Sequence, residues 1–420
     1  MTTKAAPGAT LDGFAAELVP SDRQGSGRKV FFIVAGSMCG LPAFILAARI
    51  FDALGFSAGL AAVGIGGAIS GVLGACTAWA GSRTRMGLAM LVDAVLPPVG
   101  ARAVKLIIAL SAVGWFGVGI SVLGETAAHA LSRLTGVTVA PLAVAVPACL
   151  LIAAVTLRGT RGLERLGLVL IPATLAFLGL STLLVLSRLG EATAAVATHT
   201  LSFGEAVSAV VGSYIVGIVI QPDYGRFVRR PMAAAGAAAA ALGIVYPLVL
   251  TLSALASSVT HTPELISAMI LLGFGVPALV ILALGSGIDA SASLYSGSLS
   301  LSNQLPRLPF AAVIIAATLV GLGLVLLGAE TVFIPFLLVL GVSLPPLAIV
   351  MILATLTAGE AVAAPGRAAR NAALAAWLAG SAVGFLTAHT AIALTSLPTL
   401  DSILAAVIVF SAARFVLKRG

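Results

Sequence analysis

Asp289 is the residue best placed to do chemistry, because it stands inside an apolar run, Leu284-Gly285-Ser286-Gly287-Ile288-Asp289-Ala290-Ser291. A carboxylate in such surroundings is costly unless hydrated, paired or protonated, so function is the default expectation for it. Its jobs would be cation ligation or reversible protonation; a carboxyl satisfied by neighbouring serine hydroxyls and serving only packing is the plainer alternative. Trp115 is the second candidate, set in Val113-Gly114-Trp115-Phe116-Gly117-Val118-Gly119. Small neighbours leave an indole face open, which suits stacking on a planar heterocycle, although a packing tryptophan has the same pattern. Cys39, Cys76 and Cys149 and the histidines His129, His199, His261 and His389 show no metal-ligand spacing or disulfide framework. No Walker A loop, nucleophile elbow or HExxH is present, so an enzyme reading has nothing to stand on.

The elements that must carry these residues follow from composition. The chain has 420 residues, 60% apolar and only 9% charged, with a mean hydropathy of +1.15. A soluble protein of that size needs far more polar surface, so the chain reads as an all-α polytopic membrane protein. About twelve spans are expected, at 30–54, 56–80, 104–131, 138–157, 166–186, 206–221, 232–256, 276–301, 310–327, 332–356, 372–394 and 400–416. The runs lack alternation and are rich in alanine, leucine and glycine, which excludes a barrel.

With both termini in the cytoplasm, all basic residues but Arg49, Arg133 and Arg188 fall inside, 20 against 3. The positive-inside rule then fixes orientation and an even number of spans, in the plasma membrane. The net charge of +8 becomes a topological signal, and no nucleic-acid partner is expected. Residues 1–29 read as a soluble tail. The stretch 86–96, ended by Pro97-Pro98, is too short to span and reads as a helix at the cytoplasmic surface, with 265–275 as its outer counterpart. Trp79 and Trp377 are expected at the membrane boundary or facing lipid.

Interrupted helices are where a transporter exposes backbone groups to a ligand. Span one contains Gly36-Ser37-Met38-Cys39-Gly40-Leu41-Pro42; span six contains Gly212-Ser213-Tyr214-Ile215-Val216-Gly217, then Pro222. These positions correspond if spans one to five and six to ten are two halves, the second inverted. Packing through small residues is the competing explanation.

Gly114-Trp115-Phe116-Gly117-Val118-Gly119 resembles the third span of bacterial cytosine permeases. Val211-Gly212-Ser213-Tyr214 leading to Asp223-Tyr224-Gly225-Arg226-Phe227, then Leu294-Tyr295-Ser296-Gly297, Pro345-Pro346 and residues 81–100, are similar in the same order. The resemblance implies the nucleobase–cation symporter family and the leucine-transporter fold: a five-plus-five inverted repeat with two further C-terminal helices. The domains would be 1–29 (tail), 30–188, 189–358 and 359–420. The resemblance also implies that Trp115 stacks on the substrate, with Tyr214 and Phe44 as further aromatics and Gly217 beside them. Sodium would be held by Gly40, Ala43, Gly285, Ile288 and Asp289. Three positions that carry polar side chains in cytosine permeases are Ala112, Val216 and Ala290 here, so stacking survives while much of the edge recognition of a pyrimidine is removed.

The expected activity is import of a nucleobase or related planar heterocycle by a monomer, in contact with membrane lipid and without a cofactor. The coupling ion is sodium or a proton, and access alternates between the two sides. An amine or amino-acid symporter binding its cationic substrate at Asp289, or a membrane sensor that does not transport, are the alternatives.

Overall fold

The computed structural model describes residues 18–36, 38, 40–157, 200–260, 275–305, 307–358, 366–390 and 393–417, with isolated positions at 176, 179, 180, 183 and 198. Regular structure among the described residues is helical, apart from one isolated parallel bridge between Gly25 and Val228. The first half holds α1 (Arg28–Gly36), α2 (Leu41–Thr84), α3 (Leu88–Val95), α4 (Pro98–Thr135) and α5 (Pro141–Leu157). Then come α6 (Phe203–Val219), α7 (Gln221–Gly225), α8 (Pro231–Ala240), α9 (Tyr246–Thr260) and α10 (Gly275–Gln304). The remainder is α11 (Phe310–Leu326), α12 (Phe333–Ser343), α13 (Pro345–Ala358), α14 (Arg367–His389) and α15 (Pro398–Leu417).

Length and apolarity let six of these stretches cross a membrane: Pro42–Thr84, Pro98–Thr135, Pro231–Leu255, Phe333–Thr357, Arg367–His389 and Pro398–Leu417. Pro141–Leu157, Phe203–Val219 and Phe310–Leu326 are apolar but shorter. The outward faces are apolar: Val72, Leu151, Leu319 and Ile408 are each more than 60% exposed. Water would not tolerate so many; lipid would. The expected span 166–186, apart from the isolated positions 176, 179, 180 and 183, and residues 265–274 of the expected outer helix lie outside the described residues.

The sequence explains where helices bend. A straight helix the length of α2 would run to about 66 Å, twice the ~30 Å hydrocarbon core, so it must double back. It does so at Gly55, whose φ of 74° belongs to the left-handed region open to glycine. Between α8 and α9, residues Ala241–Val245 widen into a π-helical turn. Pro247 supplies the cause: it has no N–H for the Gly243 carbonyl, and the helix rewinds around the missing bond. Pro345-Pro346 separates α12 from α13 in the same way.

The 86–96 segment is a short helix, as expected, and its inner face is packed on protein: α3 sinks Leu91 and Val92 fully into the core and exposes Asp93, which pairs with Lys105 at 2.6 Å. Its apolar face found a protein partner, not lipid. Trp377 is buried, not lipid-facing, and its indole N–H donates to the Ser343 carbonyl at 2.9 Å, joined by the Ser381 hydroxyl at 3.2 Å. That carbonyl ends α12, so α14 satisfies a backbone group that the helix break leaves over.

The end of the tail is docked on the rest of the chain. Val19 is buried, Gly25 exchanges backbone bonds with Phe227 and Arg229, and Gln24 Nε2 donates to the Arg226 carbonyl at 3.0 Å. Close by, Asp223 Oδ1 accepts from the Leu88 N–H at 2.9 Å and holds the start of α3. Burial pushes the Asp223 carboxyl above its ordinary range; the Arg226 guanidinium and the Leu88 N–H oppose that shift.

Candidate functional site

The interruption of span one is where the sequence places it. α1 stops at Gly36 and α2 begins at Leu41, with Met38 in a turn and Gly40 extended (φ −87°, ψ 151°) as the N-cap. Pro42 lies in the first turn of α2, where a missing N–H costs nothing. Two helix ends therefore meet inside one span, and their terminal carbonyl and N–H groups lack intrahelical partners.

Asp289 comes to this gap from the middle of α10. Its Oδ2 lies 3.2 Å from the point where a Cβ on Gly40 would stand, and its Cγ 3.7 Å away. Any side chain at position 40 would crowd the carboxylate, so glycine keeps it against open backbone. Gly285 stands one turn before Asp289 on the same side of α10, and Ile288 is its immediate neighbour in the chain. Ala43 donates its N–H to the Gly40 carbonyl at 3.1 Å, closing the first turn of α2. Two residues past Asp289, Ser291 shares a hydrogen bond of 2.7 Å with Thr156 of α5, both buried. No cluster of three or more His, Cys, Asp or Glu exists among the described residues. The donor set at the gap is one carboxylate plus backbone oxygens, which suits a hard cation or a proton.

Trp115 is half-buried on α4. Phe333 and Phe336 of α12 meet its indole edge-on, with centroids at 6.0 and 5.7 Å and interplanar angles of 80° and 72°. Gly114 makes room, since a Cβ there would lie 3.2 Å from the Phe336 ring. Neither phenylalanine stands out in the sequence, where an aromatic pair three residues apart in an apolar run reads equally as core.

Tyr214 also reaches span one. Its hydroxyl donates to the Val34 carbonyl, near the end of α1, at 3.4 Å, and its ring lies 5.5 Å from Tyr246. The Tyr214 ring folds back over Gly217, leaving no space for a Cβ there. Ser213 donates to the Val210 carbonyl at 2.7 Å and bonds the buried Tyr246 hydroxyl. Trp115, Tyr214 and Val216 pack against one apolar core that contains Phe44, Tyr246 and Phe333. Span one is thus engaged from both sides of its break, by Tyr214 at α1 and Asp289 at α2.

Ala112 and Ala290 sit elsewhere. Ala112 is buried under Gly297 of α10, and Ala290 is buried facing Gly119 of α4, so both belong to the seam between these helices. The expected break at Gly212–Gly217 is also absent. α6 runs unbroken through it, and the bend comes at Ile220 (φ −83°, ψ 0°), just before Pro222. Gly212 is a packing residue: a Cβ there would strike the Leu337 carbonyl, so it lets α6 and α12 touch.

Residues 18–404 match a family described as permeases for cytosine/purines, uracil, thiamine and allantoin. The cytosine permease of Escherichia coli O157:H7 is 27% identical over 245 residues, 58% of this chain and 57% of that protein. That of strain K12 is 26% identical over the same length. The chain thus spans little more than half the length of these curated relatives. Among solved structures, the nucleobase-cation-symport-1 family transporter Mhp1, closed with bromovinylhydantoin bound, aligns over 98% of this chain and 97% of its own with a TM-score of 0.74 and 20% identity. Inward-facing Mhp1 gives 0.75 and 21% over 93% and 91%. A manganese transporter from Eremococcus coleocola gives 0.54 at 14% identity, covering 97% of this chain and 99% of its own. Together with the apolar helices, these likenesses establish an all-helical, membrane-embedded fold of the leucine-transporter type.

Proposed function

The chain belongs to the family of permeases for cytosine/purines, uracil, thiamine and allantoin, and from that premise we propose that it imports a nucleobase or related planar heterocycle by cation symport with alternating access. The observation that carries the reading is a mid-helix carboxylate, Asp289, held against the open backbone of an interrupted span at Gly40. In this proposal Trp115 stacks on the ring, with Tyr214, Phe44 and Gly217 around it. The cation is held by Asp289 with the backbone of Gly40, Ala43, Gly285 and Ile288. Sodium would be ligated by the ionised carboxylate; a proton would ride on it. Occupancy of the gap and closure over the ring are coupled through span one, which both groups touch.

Ala112 and Ala290 face helix seams and Val216 is apolar, so side chains at these positions offer the ring edge no hydrogen bonds. Selection then falls on ring shape and stacking, which favours planar heterocycles with fewer polar edge groups than cytosine. We further propose residues 30–188 and 189–358 as the two inverted halves, with 359–420 supplying two additional helices. Both termini are cytoplasmic, the membrane is the bacterial inner membrane, and the working unit is a monomer.

Purified protein screened by thermal shift against pyrimidines, purines, hydantoins and amines should be stabilised by planar heterocycles. The stabilising ligand should then accumulate in proteoliposomes under an imposed cation gradient. Separate sodium and pH gradients identify the ion. Stabilisation by amines alone would replace the substrate class, and binding without accumulation would make the chain a sensor.

A further inference from the structure

A groove lies between the first turns of α4 and the last turn of α10, with a volume of about 300 Å³. Its walls are Arg102, Ala103 and Leu106 on α4, Leu301 and Gln304 on α10, and Leu305 just past the end of α10. Leu106 and Leu305 are 44% and 45% exposed, so the groove opens outward from the bundle. The exposed residues Val99, Arg102, Leu106 and Leu110 form one stripe down α4. Arg102 stands about 6 Å from the start of that helix. Below it the stripe is wholly apolar.

The charges sharpen the picture. Lys105, one turn further on, is neutralised by Asp93 at 2.6 Å. Arg102 is exposed and makes no ion pair among the described residues. An exposed cation with no ion pair among the described residues, set above an apolar cleft in a membrane-embedded chain, complements an amphipath with an anionic head. We propose that this groove binds one anionic phospholipid, its phosphate at Arg102 and Gln304 and an acyl chain along Leu106 and Leu301. On the orientation proposed above, that lipid belongs to the cytoplasmic leaflet. It would tie together the ends of the helices that carry Trp115 and Asp289.

Native mass spectrometry of the full chain, titrated with dioleoylphosphatidylglycerol or dioleoylphosphatidylcholine, tests the site. The wild-type protein should retain phosphatidylglycerol preferentially. Arg102→Gln should weaken that binding about fivefold, the equivalent of ~1 kcal/mol for one basic side chain at an anionic surface, while phosphatidylcholine binding stays unchanged. Arg102→Lys should keep most of the preference. Leu106→Trp, which fills the cleft, should remove tight binding of either lipid. Equal retention of the two lipids by the wild type, or an unchanged phosphatidylglycerol affinity in Arg102→Gln, overturns the proposal. Displacement of the lipid by glycerol 3-phosphate at matched concentration overturns it as well, because the site would then recognise a free anion.

Discussion

At the scale of single residues, two side chains carry sharp consequences. Asp289→Asn keeps shape and hydrogen bonding but removes the charge and the titratable proton. Cation-driven accumulation in proteoliposomes should therefore fall to the equilibrium level while the melting temperature changes little; full concentrative uptake by the variant would end the coupling role. Trp115→Ala should weaken substrate binding by about 1–3 kcal/mol if the indole stacks on the ring, read by titration of the ligand found in the thermal screen. An unchanged affinity would return Trp115 to packing, alongside Phe333 and Phe336. The sequence exposed Asp289 because charge is scarce inside these apolar runs, and a lone carboxylate there stands out. It could not expose Phe333 and Phe336: an aromatic on the buried face of a membrane helix looks the same whether it packs a core or frames a site. Asp401 was hidden for the opposite reason. At the edge of an expected span it reads as boundary polarity, yet it is buried and accepts from Thr387, from the Leu394 and Thr395 N–H groups and from the Thr395 hydroxyl.

At the scale of elements, the two halves of the paired-break expectation fared differently, and the reason is local. In span one Gly36, Gly40 and Pro42 act together: two residues of low helix propensity and one without an N–H leave the helix little to gain by continuing. In span six Gly212 and Gly217 have no proline between them, so each can serve helix contact while α6 stays whole; the bend waits for Pro222. The break of span ten falls at Pro345-Pro346, a pair that the sequence offered only as a point of resemblance; its consequence for α14 was not legible, because the acceptor is a backbone carbonyl 34 residues from the indole that reaches it. Trp377→Phe keeps most of the packing and deletes that donor. It should lower stability by about 0.5–1.5 kcal/mol, because Ser381 still reaches the carbonyl. Adding Ser381→Ala should cost more than the two single changes combined, since only then does the Ser343 carbonyl lose both donors. Thermal unfolding of the four proteins in one detergent measures the difference; strict additivity would mean that the two donors do not act on a shared acceptor.

At the scale of the whole molecule, the charge distribution makes a claim independent of any site. On the proposed topology twenty basic residues fall on one side and three on the other, which is the asymmetry that the positive-inside rule expects of cytoplasmic termini. α4 supplies a ruler, because its ends carry opposite assignments. Pro98 and Arg102 begin it on the proposed cytoplasmic side, and the exposed loop around Thr138 follows it on the proposed outer side. Arg229, exposed in the turn that receives the N-terminal segment, belongs with the first end. In a background where Cys39, Cys76 and Cys149 are replaced by alanine, Thr138→Cys should react with a membrane-impermeant maleimide added to intact cells. Arg102→Cys and Arg229→Cys should react only after permeabilisation. Labelling of all three from outside would break the single-orientation reading, and the reverse pattern would invert it, turning import into a statement about the opposite direction. Agreement would also fix the leaflet of the groove at Arg102, because orientation decides which lipids that arginine can meet.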